Sequence, residues 1–370
     1  MRIAVLVSND LVHDQRVRKT CDVMLRKGWE LTLIGRLLPD SKPISRPYET
    51  HRISGMPKAG ARFYAHLQWQ LWRYLSQRSD IDAIWANDLD TLWPAWHYAK
   101  ARKLPIIYDS HEYFLGAAGL TNRRFPKWVW RQIESRIFPK LTHAITVNEH
   151  IAQLYRQQYG VDVKVVRNVP ELLPPPEPAT RAEFELPEGK LAILQGAFMD
   201  RDRGVLEAVA AMDLLPDVNL LLVGAGEEWE EARRRSSARS AKNRIICLPK
   251  QEYNRLRQLT RLADVGLSLD KPVHENYQFS LPNKLFDYLH AGVPVVASNV
   301  PEVAKVVRAF GVGELTASVT PDAIASAIRK VIDNGAEHYS VNISKAAEAF
   351  NWQKESMTIE AILDSIAGEL

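Results

Sequence analysis

Short apolar runs recur along this chain with room for one helix between neighbours, and that spacing constrains the fold more than any other feature. Ile3–Val7 and Glu30–Ile34 flank a helical stretch at 14–27, and Ile81–Trp85 follows a long, aromatic-rich helix at 61–78. A helix from about Leu89 leads to Pro105–Tyr108, and Ala144–Val147 and Val163–Val166 close the first half. The pattern restarts with Lys190–Leu194, a helix near Val205, then Leu220–Val223, Arg244–Leu248, Val265–Leu269 and Val295–Ala297. Short apolar strands separated by helices predict an α/β protein whose parallel sheets are covered on both faces.

With 370 residues, 46% apolar and 25% charged, the chain has ordinary globular composition and length enough for two domains. Leu173-Pro-Pro-Pro-Glu-Pro178 is stiff and extended and marks the boundary. The expected division is a Rossmann-like domain over 1–169, a linker over 170–189 and a second Rossmann-like domain over 190–349. The first apolar run is too short for a signal or membrane span, and Cys21 and Cys247 lack metal-ligand spacing, so a cytoplasmic protein is expected. The net charge of +4 hides an asymmetry: residues 1–168 carry 26 Lys+Arg against 15 Asp+Glu, and the rest 22 against 29. A basic first half could meet nucleic acid, an anionic membrane or an acidic substrate; with no nucleic-acid motif apparent, no nucleic-acid partner is expected.

The stretch Ser280-Leu-Pro-Asn-Lys-Leu-Phe-Asp-Tyr-Leu-His-Ala-Gly-Val-Pro294 reads as a helix, with Pro282 in its first turn, Ser280 a candidate cap and Gly292 its stop. Lys284 opposes the helix macrodipole there, which costs roughly 0.3–1 kcal/mol unless a bound anion meets both the lysine and the free N–H groups. Phosphate is the obvious anion. Asp287, three residues on, could accept hydrogen bonds from a pair of sugar hydroxyls, although a solvated Lys–Asp pair is an alternative. Arg203 and Gly204 repeat the situation at the helix start near Val205, so a diphosphate between two such starts would relieve both cations. A solvated Arg203 beside Arg201 and Asp202 is the alternative. Gly224-Ala-Gly226 ends a strand where a ribose or base edge could approach.

In the first half, Asp109-Ser-His-Glu112 places an imidazole and two carboxylates at the C-terminal end of a strand, where open α/β sheets put their ligands. His111 is the best catalytic candidate there; a histidine tied structurally to Asp109 or Glu112 is the alternative. Asp88-Leu-Asp90 has the spacing of a metal–nucleotide motif, but its place at a strand-to-helix turn points to a helix cap. The first turn carries Asn9-Asp-Leu-Val-His-Asp-Gln-Arg-Val17 instead of a glycine-rich dinucleotide fingerprint, and Asp14 and Arg16 could be plain helix-start charges.

The Ser280–Pro294 run resembles the nucleotide-sugar signature of glycosyltransferase family 4, whose members have the GT-B fold. In much of that family two glutamates stand eight apart, the first facing the donor sugar and the second holding the nucleotide ribose. Asp287 matches the second, whereas Phe279 stands at the first; Glu275 and Asn276 lie just upstream and could reach the sugar from a differently shaped loop. The Asn9–Val17 run, His111, Arg203-Gly204 and the turn Arg167-Asn-Val-Pro170 also resemble family features. The resemblance implies two Rossmann-like domains facing a central cleft, with a terminal helix at 350–370 crossing back to the first. It implies a retaining transferase that closes its domains to exclude water and needs no metal or cofactor beyond its nucleotide-sugar co-substrate. Arg203 and Lys284 would stabilise the leaving diphosphate, with Gly204, Gly224, Ser280, Asp287, Glu275 and Asn276 on the donor side. His111 would orient sugar or acceptor hydroxyls, with Asn9, Asp14, Arg16 and Glu112 on the acceptor side. A nucleotide-sugar epimerase on the same fold and a non-catalytic partner subunit are the alternatives.

Eight of the ten tryptophans precede residue 169, and the segments Arg62–Arg73 and Arg123–Arg131 mix them with cations. Such segments either bury their aromatics, as the spacing of Trp69, Trp72 and Leu75 suits, or dip them among anionic headgroups. The second reading implies a lipid-linked or envelope glycan acceptor and peripheral association with the inner face of the membrane; a soluble glycan or small-molecule acceptor fits the first.

Overall fold

The computed structural model describes every residue except His13, Met56, Lys58, 239–243 and Leu370. The chain forms two compact units: Met1–Arg167 with Glu355–Leu370, and Asn168–Lys354.

The first unit holds β1 (Arg2–Asp10), α1 (Gln15–Arg26), β2 (Glu30–Arg36), β3 (Glu49–Ile53), α2 (Ala61–Ser76), β4 (Ala83–Asn87), α3 (Leu89–Arg102), β5 (Ile106–Ser110), α4 (Arg124–Ile137), β6 (His143–Thr146), α5 (Glu149–Tyr159) and β7 (Val163–Val165). Its sheet runs β3-β2-β1-β4-β5-β6-β7, every pairing parallel. Strand order reverses between β1 and β4, and the space beyond the carboxyl ends of strands at such a reversal is where open α/β sheets hold ligands. The edge strand β3 was not legible, because Glu-Thr-His-Arg-Ile has a single buried apolar residue, Ile53.

The second unit holds β8 (Lys190–Gly196), α6 (Val205–Ala211), β9 (Val218–Gly224), α7 (Glu227–Ala238), β10 (Ile245–Pro249), α8 (Tyr253–Arg261), β11 (Val265–Ser268), α9 (Glu275–Gln278), α10 (Asn283–Ala291), β12 (Val295–Ser298), α11 (Pro301–Phe310), β13 (Gly313–Thr316), α12 (Pro321–Asn334) and α13 (Ala336–Ala349). Its parallel sheet runs β10-β9-β8-β11-β12-β13, so strand order reverses between β8 and β11. Fully buried Leu191–Leu194, Leu220–Leu222 and Val295–Ala297 form the middle layer of one continuous core.

The proline-dense stretch belongs to this second unit: the Pro174 and Glu177 carbonyls accept from Arg257 and Gln258 of α8, and Phe184 and Leu186 are buried. The last helix, α14 (Trp352–Glu369), lies in the first unit from Glu355 onward, where Glu355 accepts from Arg167 at 2.9 Å and Asp364 pairs with Lys27 at 2.6 Å.

On α2 the buried face is Phe63, Leu67, Leu71 and Leu75, while Trp69 and Trp72 are exposed; of the three residues whose spacing suited a core, only Leu75 joins it. Phe125 and Trp128 of α4 are likewise exposed, and Trp130 is buried.

Candidate active site

Beyond the carboxyl end of β11, Asp270 is 1% exposed and holds two cations, one on each oxygen. Arg203 donates from Nη1 to Oδ2 at 3.0 Å, and Lys284 from Nζ to Oδ1 at 3.3 Å. Burial alone would raise this carboxyl; Lys284 and then Arg203 outweigh it and hold Asp270 below the ordinary carboxylate range. Lys284 stands in the first turn of α10 as expected, but Pro282 is the N-cap residue in an extended conformation, and Ser280 does not cap. The Ser280 hydroxyl instead donates to the Tyr277 carbonyl at 3.0 Å. The N-cap residue Pro282 gives α10 no side-chain cap hydrogen bond, so the helix's first N–H groups add partial positive charge beside Lys284.

Arg203 lies at the entry to α6 with its guanidinium 4.6 Å from the ring centroid of Tyr277. Gly204 has φ +71°, and a Cβ there would sit 2.6 Å from Leu269 Cβ and 2.7 Å from its carbonyl oxygen, so only glycine fits. At Gly224 a Cβ would fall 2.0 Å from the Gly196 carbonyl oxygen. Close packing of β9 on β8 therefore accounts for this glycine, without any ligand. Asp287 accepts from Gln195 Nε2 at 3.3 Å, and Gln195 Oε1 accepts from Thr260 at 2.8 Å. Asp287, Gln195 and Thr260 line a hollow with Tyr253, Leu256 and His290. Glu275 and Asn276 begin the short α9, which also carries Tyr277, and Phe279 follows as its last-turn cap residue.

The first unit gathers a different set at its own reversal point. Asp14 caps α1 by accepting from the Val17 N–H at 3.0 Å and takes a hydrogen bond from Asn9 Nδ2 at 3.2 Å. Arg16 is buried rather than presented at a helix start: it donates to both oxygens of fully buried Asp109, at 2.7 and 3.2 Å, and to the Val166 carbonyl. Asp88 occupies the cap position of α3 at φ +60° but makes no side-chain cap bond; its Oδ1 accepts from the His111 backbone N–H at 2.8 Å. The His111 ring lies between carboxylates, Nδ1 at 3.4 Å from Asp88 and Nε2 at 3.5 Å from Asp109, with Asn87 Oδ1 at 3.1 Å from Nε2. Burial opposes the charge, yet Asp88 and Asp109 prevail and raise the imidazole to about 9, so at neutral pH it is a cation and no general base. Glu112 is half-buried beside it, its carbonyl accepting from Ser110 at 2.7 Å. Asp90 is buried with one oxygen lacking a partner among the described residues, and burial followed by repulsion from Asp88 raises it to about 7. Among the described residues no group of three or more His, Cys, Asp or Glu is placed to hold a metal ion, and the carboxylates of the Asp88-Leu-Asp90 spacing take these other roles.

Sequence reasoning missed Asp270, Gln195 and Tyr277. Asp270 had a signal: it follows the strand Val265–Leu269 directly, at the sheet end where it already placed Asp109.

The family model described as glycosyl transferases group 1 matches residues 177–350, and that of glycosyltransferase family 4 matches residues 15–170. The chain belongs to these glycosyltransferases. Similar solved structures include sucrose-phosphate synthase from Thermosynechococcus elongatus, at TM-score 0.81 and 18% identity with 100% of each chain covered. A glycosyltransferase from Rickettsia africae superposes at TM-score 0.75 and 12% identity over 99% of this chain and 98% of its own. The Anabaena protein HepE in complex with UDP does so at 0.74 and 16%, over 99% of this chain and 100% of its own. No curated protein matches the chain by sequence. These likenesses establish the fold as GT-B, two α/β units each with a parallel sheet. In this glycosyltransferase, then, Arg203 and Lys284 meet in one cluster and Arg16 and His111 in another, each at the reversal point of its own sheet, whereas Asp287 pairs with Gln195, Ser280 with the Tyr277 carbonyl and Asn9 with Asp14. The second unit's cluster holds two cations on one carboxylate, and the first unit's holds carboxylates around two cations.

Proposed function

We propose that this glycosyltransferase moves a sugar, with retention at the anomeric carbon, from a nucleotide diphosphate sugar to a glycan, lipid-linked or small-molecule acceptor. The observation that carries the donor half is the meeting of Arg203 and Lys284 on Asp270 beside the start of α10. Two fixed cations and a helix start suit a diphosphate, and they act most strongly as charge develops on it in the transition state, so the proposal invokes no metal. The UDP complex of the Anabaena protein supports a nucleoside diphosphate as the ligand class. Asp287 would accept the ribose hydroxyls, and the His111 imidazolium would orient sugar and acceptor groups. A panel of UDP-, GDP-, ADP- and dTDP-sugars identifies the donor. Arg203→Ala and Lys284→Ala should each lower turnover about 10²–10³-fold while the fold survives. Ordinary nucleotide affinity and turnover in both variants would sink the assignment.

A membrane-linked acceptor is favoured by one specific observation: Trp69, Trp72, Phe125 and Trp128 are all exposed, on faces that also carry Arg62, Arg73, Arg123 and Arg124. Exposed aromatics amid cations suit the headgroup region of an anionic leaflet. No helix among the described residues is long and apolar enough to cross a membrane, so the proposed association is peripheral. Vesicle co-sedimentation tests it. Binding should require anionic lipid, weaken with salt, and fall in an Arg123/Arg124/Lys127 charge-removal variant; no lipid-dependent binding at low salt leaves a soluble acceptor.

A further inference from the structure

We infer that Asp270 is a positioning residue for sugar transfer, holding Arg203 and Lys284 side by side for the diphosphate while weakening their hold on the nucleoside diphosphate product. The inference rests on the donor reading above.

Three consecutive residues of one loop meet three of another. Gly204 is pressed on Leu269, Arg203 pairs with Asp270, and the Asp202 carbonyl accepts from the Lys271 N–H at 2.8 Å. Lys271 is anchored in turn by Glu207 of α6 at 2.7 Å. That register leaves Asp270 no freedom to swing, and its burial at 1% exposure keeps water from replacing it as the partner of the two cations. Arg203 is gripped on a second side by the Tyr277 ring. Without the carboxylate, two like charges would repel, and Arg203, whose side chain is 29% exposed, would turn toward solvent.

The same charge acts on the ligand. A diphosphate placed against Arg203 and Lys284 lies near a buried anion that already neutralises part of their field, so ground-state and product binding are weaker than two unshared cations would give. Alignment is retained, and alignment is what the departing diphosphate needs as its charge grows. Asp270 thus trades product affinity for geometry.

Asp270→Asn separates these effects. Inorganic pyrophosphate and UDP serve as binding probes in calorimetry, and turnover is read as sugar released from the nucleotide sugar that the donor panel selects. The expected result is a fall in kcat of about 10²-fold with tighter probe binding; unchanged probe affinity would overturn the claim that Asp270 weakens product binding. A kcat that is unchanged, or one that falls in step with weakened probe binding, overturns the inference. Asp270→Ser is read in the same way should the asparagine variant not fold. If neither folds, Arg203→Lys decides: the charge stays, but the fork spanning Asp270 and Tyr277 is gone, so kcat should fall with affinity kept, and normal turnover overturns the inference. Pyrophosphate binding by Arg203→Ala and Lys284→Ala equal to that of the natural chain would instead remove the donor reading itself.

Discussion

At the reversal of the first sheet, Asp88 and Asp109 flank the His111 imidazolium and Asp109 also holds Arg16, with Asp90 buried close by; at the reversal of the second, a single carboxylate, Asp270, lies between Arg203 and Lys284. The halves of the sequence have the opposite balance, the first basic and the second acidic. Charge at a site is therefore not inherited from the charge of its domain. The basic excess of the first unit includes exposed residues of α2 and of α4 and its approach, such as Arg62, Arg73, Arg123, Arg124 and Arg131, whereas its cluster is acid-rich and answered from within. The second unit exposes acids on α7, among them Glu227 and Glu230, yet gathers cations where an anion could bind. Local topology decides which charges meet.

The largest test of this contrast is structural. Arg16→Met should cost about 3–5 kcal/mol, because it leaves Asp109 buried without its guanidinium. Arg203→Ala should cost far less, since Arg203 is partly exposed and Asp270 keeps Lys284. Urea unfolding of both variants measures this. Equal losses would erase the distinction between an internally closed cluster and one open to a ligand.

His111 sharpens the comparison through pH. Its pKa is raised to about 9, above the unfolded value, so its charge and the stability it brings are complete below about 6.5 and are lost as pH rises through about 9. Sugar transfer that depends on the imidazolium should decline over the same alkaline range, at nearly constant nucleotide affinity. His111→Gln should transfer sugar about 10²-fold more slowly and lose that alkaline limb. A flat profile for the natural chain between pH 8 and 10, or a parallel decline in the glutamine variant, would assign His111 to structure alone.

Much of this architecture was legible because it depends on local apolar spacing: the runs starting at Ile3, Lys190 and Leu220 all became central parallel strands. Lys284 and Arg203 were legible for a related reason, as each is a cation where a helix start disfavours one. What joins them was not. Asp270 is 67 residues from Arg203 and 14 from Lys284, and only the pairing of β11 with β8 brings its loop to the entry of α6. Arg16 misled for the same reason, because its partner Asp109 is 93 residues away, and a residue at a helix start gave no sign that its side chain turns inward. Ser280 and Asp88 were judged by position, but a cap requires the hydroxyl or carboxylate to turn back on its own helix. Tyr277 and His111 offered those groups other partners.

The smallest expected effect concerns Asp90. It is 5% exposed, one of its oxygens lacks a hydrogen-bond partner among the described residues, and burial with repulsion from Asp88 raises it to about 7. The folded-state pKa lies above the unfolded value, so the folded chain resists ionising this group. Stability should therefore drop as pH climbs from about 4 through about 7 and level off above. Asp90→Asn keeps the shape and removes the charge, and it should stabilise the chain by about 1–2 kcal/mol at pH 8 and hardly at all at pH 4. Paired urea titrations at the two pH values read the difference. Donor binding should be untouched, because Asp90 belongs to the acid-rich cluster of the other unit. A gain of equal size at both pH values would trace to packing instead, and a loss at pH 8 would mean that Asp90 is a welcome anion, so the first cluster would not be the crowded one.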